Sequence, residues 1–181
     1  MGLMDLWDET LGKKIRYYEV ELPGPRGAEG VDETVLDVPG YYQAQSYTCG
    51  FTAGLMVLHT FHPRRSPARF LRAVAPSAAE GGTPRDRLVR ALRDHCIGVG
   101  HLRSHTFEAI ARRIEDGQPI ITMVKKGGGN HWVVLYGVER GAAPTVYVAA
   151  NGWGYVSRVR YRWAEFERIW EPRATLACWG V

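Results

Sequence analysis

The sequence predicts an α+β domain in which helices come first and an antiparallel sheet follows. Three observations carry this. A segment from Thr48 to about Thr60 is apolar on nearly every side, as expected of a helix buried in the middle of a fold. Amphipathic patterns of helical period fill the chain from there to Asp116. Beyond Pro119 the pattern changes to short β-branched and aromatic runs, the mark of strands.

Taken in order, residues 1–40 read as an irregular lead-in containing one strand, Ile15 to Leu22, which ends at Pro23-Gly24-Pro25. Thr48 is placed to cap the buried helix, and Pro63 ends it. Ser66-Pro67 opens a short helix through about Val74, and Thr83-Pro84 repeats that signal before a helix from Arg85 to His95. From Thr106 to Asp116, Phe107, Ile110, Ala111 and Ile114 form one stripe, and Gly117 is a fitting stop. Strands follow at Pro119 to Val124, Trp132 to Val138, Thr145 to Ala150 and Val156 to Tyr161, then a helix at Ala164 to Ile169 and a last strand at Ala174 to Trp179. The 181 residues make one domain of three parts: the lead-in, a helical half over about 41–104, and a helix-plus-sheet half over about 105–181.

Composition narrows the function. With 45% hydrophobic and 23% charged residues the chain has material for a sizeable core. A formal charge of +4 is too small to point to nucleic acid. No apolar run is long enough to span a membrane and no signal-peptide pattern opens the chain, so a cytoplasmic protein is expected, with non-classical export as the alternative. Three cysteines without a CxxC pattern argue against a disulfide scaffold or a cysteine-rich zinc site. The pairs His59/His62 and His101/His105 lack acidic partners nearby, so neither a metal nor any cofactor is expected. The arginines at 158, 160 and 162 share one strand face, and those at 85, 87, 90 and 93 populate a helix; both sets read as solvated faces. Oligomeric state is not legible.

Three stretches carry chemistry. Cys49 stands at the first turn of the buried helix, where free N–H groups and the macrodipole favour an anion, so a lowered thiol pKa and a nucleophilic role are expected. Gly50 allows a close approach there, and the amide of Gln43, six residues upstream, can reach back to join the Cys49 backbone N–H as an oxyanion hole. Gly127-Gly128-Gly129-Asn130 delivers His131 to the start of an apolar strand, an address that suits a general base; the loop 125–130 is expected to move on substrate entry. If the next strand is its hairpin neighbour, Asn151 ends at the same sheet edge and can orient the imidazole, with Trp153 lying across that bond.

Gln43, Cys49-Gly50, His131 and Asn151-Gly152-Trp153-Gly154, in that order, resemble the papain-type cysteine peptidase constellation. The separation of Cys49 from His131 is shorter than the roughly 130–150 residues of papain itself. A compact branch matches better. The chain is similar to stand-alone relatives of the bacteriocin-leader (double-glycine) peptidases over about residues 41–171, through Gln43 to Gly50, Gly117-Gln118-Pro119-Ile120, His131 to Val134, and the tail Phe166 to Trp170. Where that branch usually carries Asp-Pro, this chain has Asn151-Gly152.

The resemblance implies a papain-like fold, with the cysteine-bearing helix buried at its centre against the sheet. It also implies a thiol hydrolase that cleaves a peptide or amide bond through an acyl-thioester. Cys49, His131, Asn151 and Gln43 would be catalytic; Trp132, Trp153, Gly50 and Gly129 would line the substrate cleft. The partner would be a peptide or protein. The same residues could serve a transpeptidase or acyltransferase, and a papain-fold binding module without catalysis is the reading from a different class.

Overall fold

The apolar run after Thr48 forms the helix around which everything else packs. The computed structural model describes residues 2–8, 13–20, 32–43, 45–150 and 157–181. In chain order the elements are β1 (Gly2–Asp8), β2 (Lys13–Val20), β3 (Glu33–Val35), β4 (Gly40–Gln43), α1 (Cys49–Phe61), α2 (Pro67–Val74), α3 (Arg85–Asp94) and β5 (Ile97–His101). There follow α4 (Phe107–Glu115), β6 (Ile120–Lys126), β7 (Gly129–Glu139), β8 (Thr145–Ala150), β9 (Ser157–Arg162), α5 (Trp163–Ile169) and β10 (Trp170–Gly180). Every residue of α1 from Cys49 to Leu58 is buried. Each large aliphatic side chain so enclosed stabilises the fold by about 1.5–3 kcal/mol.

The main sheet is antiparallel, in the order β5-β10-β6-β7-β8-β9, with β3 added on β7; a second sheet runs β1-β2-β4. The main sheet is covered on both faces. Trp132, Val134 and Tyr136 of β7 join the core built by α1, α2 and α3, whereas Val133 and Leu135 join the one built by α4, α5 and Trp170. This explains why β7 reads as an unbroken apolar run instead of an alternation. A register shift between Leu135 and Gly137 against β8 resets the parity, so that Val138 falls on the α4 side with Leu135.

The α+β architecture agrees with expectation, and several local expectations are corrected. Thr48 does not cap α1: its hydroxyl donates backward to the Gln45 carbonyl at 2.9 Å. Thr83 does not cap α3 either, because Pro84 takes the N-cap position and no side chain caps that helix. Ser66 and Thr106 do cap, each accepting from the backbone N–H three residues on. The lead-in strand is Lys13–Val20, and it pairs with β1 and β4. Strand β5 was not expected, because Ile97–His101 includes two glycines; the Trp179 ring of β10 lies over Gly98 so closely that a Cβ there would sit 2.1 Å from its Nε1.

The arginine rows are not simply solvated. Glu33 and Glu139 face each other across β3 and β7, a pairing of like charges that opposes strand association. The Tyr147 hydroxyl donates to Glu33, stands 3.0 Å from Glu139 Oε2 and accepts from Arg160, which pairs with Glu139 at 2.8 Å and Glu33 at 3.6 Å while covering the Tyr147 ring. Burial and the hydrogen bond to Glu33 hold the Tyr147 hydroxyl well above its ordinary pKa. Arg158 covers Tyr136 and donates to the Val38 carbonyl at 3.3 Å. Arg87 forks onto Glu80 and also reaches the Ala75 carbonyl. Replacing Arg160 with Met leaves the two carboxylates opposed, and an unfolding free energy lower by about 1 kcal/mol in urea titration is expected, a modest figure because Arg160 is largely exposed.

Cys178 is fully buried in β10, and burial pushes its thiol up to about 12. A folded-state pKa raised above the unfolded value gives a contribution complete below about pH 9 and lost as pH climbs toward 12. Unfolding free energy should therefore fall across that window by at most about 4 kcal/mol from this group, and Cys178→Ala should flatten the alkaline slope. Chemical denaturation at a series of alkaline pH values checks this.

Candidate active site

The turn 45–48 leads directly into α1 and sets Cys49 as its first helical residue. Thr48 N–H and Thr48 Oγ1 both go to the Gln45 carbonyl, and Thr52 Oγ1 returns to the Thr48 carbonyl, so the entry is tied to the helix it starts. Cys49 is 5% exposed. Gly50 follows because nothing larger fits: a Cβ there would lie 2.6 Å from Thr83 Cβ and 3.0 Å from Trp132 Cδ1. The closeness that Gly50 permits is taken up by Thr83 and Trp132.

The second component is the β6–β7 hairpin. Its turn is Gly127-Gly128, with φ of +57° and +83°, the two left-handed positions a tight hairpin turn demands. The extent of the expected loop 125–130 is therefore corrected: Lys125 pairs with Asn130 and Lys126 with Gly129, and only two residues form the turn. His131 is the third residue of β7, opposite Val124. Its side chain is partly exposed, yet Nε2 is sheltered from solvent. Gly129 is exposed, two residues nearer the turn.

These two components meet at the sulfur. The backbone N–H of Trp132, the residue after His131, points to the Cys49 thiol, as do the N–H groups of Gly50 and Cys49 itself. The base-bearing strand and the helix mouth are thus in direct contact. The Trp132 ring is 2% exposed, and its indole N–H donates to the Thr83 carbonyl at 3.1 Å, so it braces β7 against the segment before α3. Sequence reasoning missed Thr83, whose position before Pro84 reads as a helix cap; nothing local signals that it packs on Gly50.

The expectation of a lowered thiol pKa is overturned. Burial raises the Cys49 pKa above its ordinary value, and the three backbone N–H groups offset this only in part. Gln43 is 3% exposed on β4; its Nε2 donates to the Ser46 carbonyl at a long 3.4 Å, and its Oε1 has no partner among the described residues.

Strand β8 runs antiparallel to β7 with Ala149 opposite Val134, so it proceeds toward the His131 end and finishes at Ala150. Asn151 follows in the chain. Asn151 and Trp153, the expected orienting residue and its cover, lie outside the described residues. The first histidine pair is otherwise engaged: His59 contacts the Tyr41 hydroxyl at 2.6 Å and the Arg65 carbonyl at 3.0 Å, and His62 the Cys96 carbonyl at 3.1 Å; of the second pair, His105 stands edge-on to the Trp170 ring. Among the described residues no three His, Cys, Asp or Glu side chains are grouped to hold a metal ion.

A cysteine at the mouth of a buried helix, set against a histidine-bearing strand of an antiparallel sheet, defines the papain-like class of cysteine peptidase folds. The chain belongs to the Peptidase_C39 like family, whose model matches residues 35–178. Three solved structures share its fold. A Bacillus anthracis protein described as a C39-like peptidase is 14% identical, with a TM-score of 0.62 over 83% of this chain and 98% of its own. A double glycine motif protease from an AMS/PCAT transporter, solved in complex with the leader peptide, is 18% identical, with a TM-score of 0.58 over 80% and 91%. The peptidase domain of Streptococcus ComA, a bi-functional ABC transporter involved in a quorum sensing pathway, is 14% identical, with a TM-score of 0.55 over 81% and 96%. No curated protein matches the chain. Among the described residues no helix is long and apolar enough to cross a membrane.

Proposed function

We propose that this protein is a thiol peptidase acting on a peptide or protein substrate. The single observation that carries the reading is the contact between the Cys49 sulfur and the backbone N–H beside His131. Burial holds the thiol above its ordinary pKa, so in this reading deprotonation is coupled to attack. His131 takes the proton as the sulfur bonds to the substrate carbonyl carbon, and the developing oxyanion accepts from the Cys49 N–H and from a Gln43 amide turned away from Ser46. The imidazolium then protonates the departing amine as the C–N bond breaks. Water, deprotonated by the same imidazole, hydrolyses the thioester and frees the acid. Asn151 would fix the ring's tautomer and angle. Gly129 offers exposed backbone for an extended substrate; Gly50, Trp132 and Trp153 would shape the wall behind it.

The test is a peptide-library cleavage profile of the wild type beside Cys49→Ala, repeated with a large excess of a primary amine. Fragments that appear only with the wild type support the reading. Amide products without free acid would move the activity to acyl transfer, and no turnover of any kind would leave a binding module.

A further inference from the structure

The far end of α1 carries a feature unrelated to the thiol. Past Phe61 the chain turns through Arg64 and Arg65 into α2, and a cavity of about 530 Å³ opens there. Arg64, Arg65, Arg69 and Arg72 line it, with Asp94 as the one carboxylate and His95 beside it. All four arginines are exposed, and among the described residues none of them makes a salt bridge. The one side-chain hydrogen bond in the set runs from Arg65 to the Cys96 sulfur at 3.6 Å. Two half-buried arginines elsewhere are neutralised, Arg87 by Glu80 and Arg140 by Glu108 and Glu115; exposed arginines such as Arg90, Arg112 and Arg168 form no salt bridge among the described residues, so it is the convergence of four on one cavity that sets this group apart.

Helix C-termini favour cations, and α1 accounts in that way for Arg64 and Arg65. It does not account for Arg69 and Arg72, which lie on α2 and line the same cavity. A concave wall of four guanidiniums concentrates positive potential, and the planar fork of each matches phosphate oxygens. A second cavity of about 380 Å³ shares Arg64 and Arg65 and is otherwise lined by Phe61, His62 and Pro63. A cationic cavity and an apolar, ring-lined one thus share Arg64 and Arg65 in their walls. Each volume lies within the range of small-molecule sites.

We propose that this double cavity binds a small phosphorylated molecule with a flat apolar group, of the nucleoside polyphosphate class. The phosphates lie among Arg64, Arg65, Arg69 and Arg72, and the flat group against Phe61 and Pro63. Since α1 has 13 residues, the ligand sits about 20 Å from Cys49, and the proposal stands whether or not Cys49 is a nucleophile.

Calorimetric titration of the full chain with ATP, GTP, tripolyphosphate and adenosine at low salt tests it. At least one nucleotide is expected to saturate with Kd below about 1 mM and to bind at least about tenfold more tightly than tripolyphosphate or adenosine. The double variant Arg69→Ala, Arg72→Ala should weaken binding at least about tenfold with an unchanged melting temperature, and Arg69→Lys, Arg72→Lys should recover only part of it. The proposal is overturned by the absence of saturable nucleotide binding, by binding that the double alanine variant leaves intact, or by tripolyphosphate binding as tightly as the nucleotides. Binding to anionic lipid vesicles or a single-stranded oligonucleotide with none to free nucleotides also overturns it.

Discussion

Cys49→Ala and His131→Ala each remove peptide cleavage, with kcat/KM expected to fall by about 10⁴-fold or more, while the melting temperature changes little. Groups that act as one unit lose nearly everything singly, so the double variant should be no worse than either alone. Gln43→Ala should behave differently. It removes one of two oxyanion donors and leaves the nucleophile and base in place, so a loss of about 10²–10³-fold, borne by kcat, is expected. Steady-state kinetics on whichever peptide the library identifies separates these outcomes. A Gln43→Ala loss confined to KM would assign that amide to substrate binding instead.

The second large effect is on stability. Trp132→Ala empties a buried site between α1, β7 and the segment before α3, and a loss of about 3–5 kcal/mol is expected. Trp132→Phe keeps most of the apolar volume but leaves the Thr83 carbonyl without its buried donor, which costs about 1–3 kcal/mol. Gly50→Ala probes the same contact from the helix side. Its new methyl meets the Thr83 Cβ and the Trp132 ring at separations that side chains do not tolerate, and overpacking of this kind typically costs about 1–3 kcal/mol. Adding Thr83→Gly should restore part of that loss. Denaturant unfolding of these four variants, of Thr83→Gly alone and of the wild type measures each term. Additive losses for Gly50→Ala and Thr83→Gly would mean that the two positions do not press on each other.

Much of this architecture is legible in the sequence, for reasons that differ by element. Helix α4 announces itself through Thr106, the stripe of Phe107, Ile110, Ala111 and Ile114, and Gly117, because a half-buried helix must separate its faces. Helix α1 is legible through the opposite signal, an apolar run without a polar side. Strand β5 is not, since its glycines show no pattern until Trp179 covers them from another strand. The same holds for β3, three residues held by pairing with β7 and by the Tyr147 network.

At the site, the positions of Cys49 and His131 follow from local signals, a helix start and a glycine turn. The protonation state of Cys49 does not. The helix mouth and its N–H groups lower a thiol's pKa, burial raises it, and only the folded packing around Cys49 shows that burial prevails. Likewise the triple glycine signals a flexible loop, whereas two of its members take the left-handed positions of a tight turn and the third is already strand.

The most direct measurement is the rate of alkylation of Cys49 by iodoacetamide, resolved from Cys96 and Cys178 by peptide mass mapping, in the wild type and in His131→Ala. A buried thiol served by a neighbouring base should label faster as pH rises, with the rise continuing beyond the ordinary thiol range near about 8.5, and at about pH 7 the His131→Ala protein should react at least about tenfold more slowly. Superimposable profiles for the two proteins across the whole range would contradict the pairing of this thiol with this imidazole.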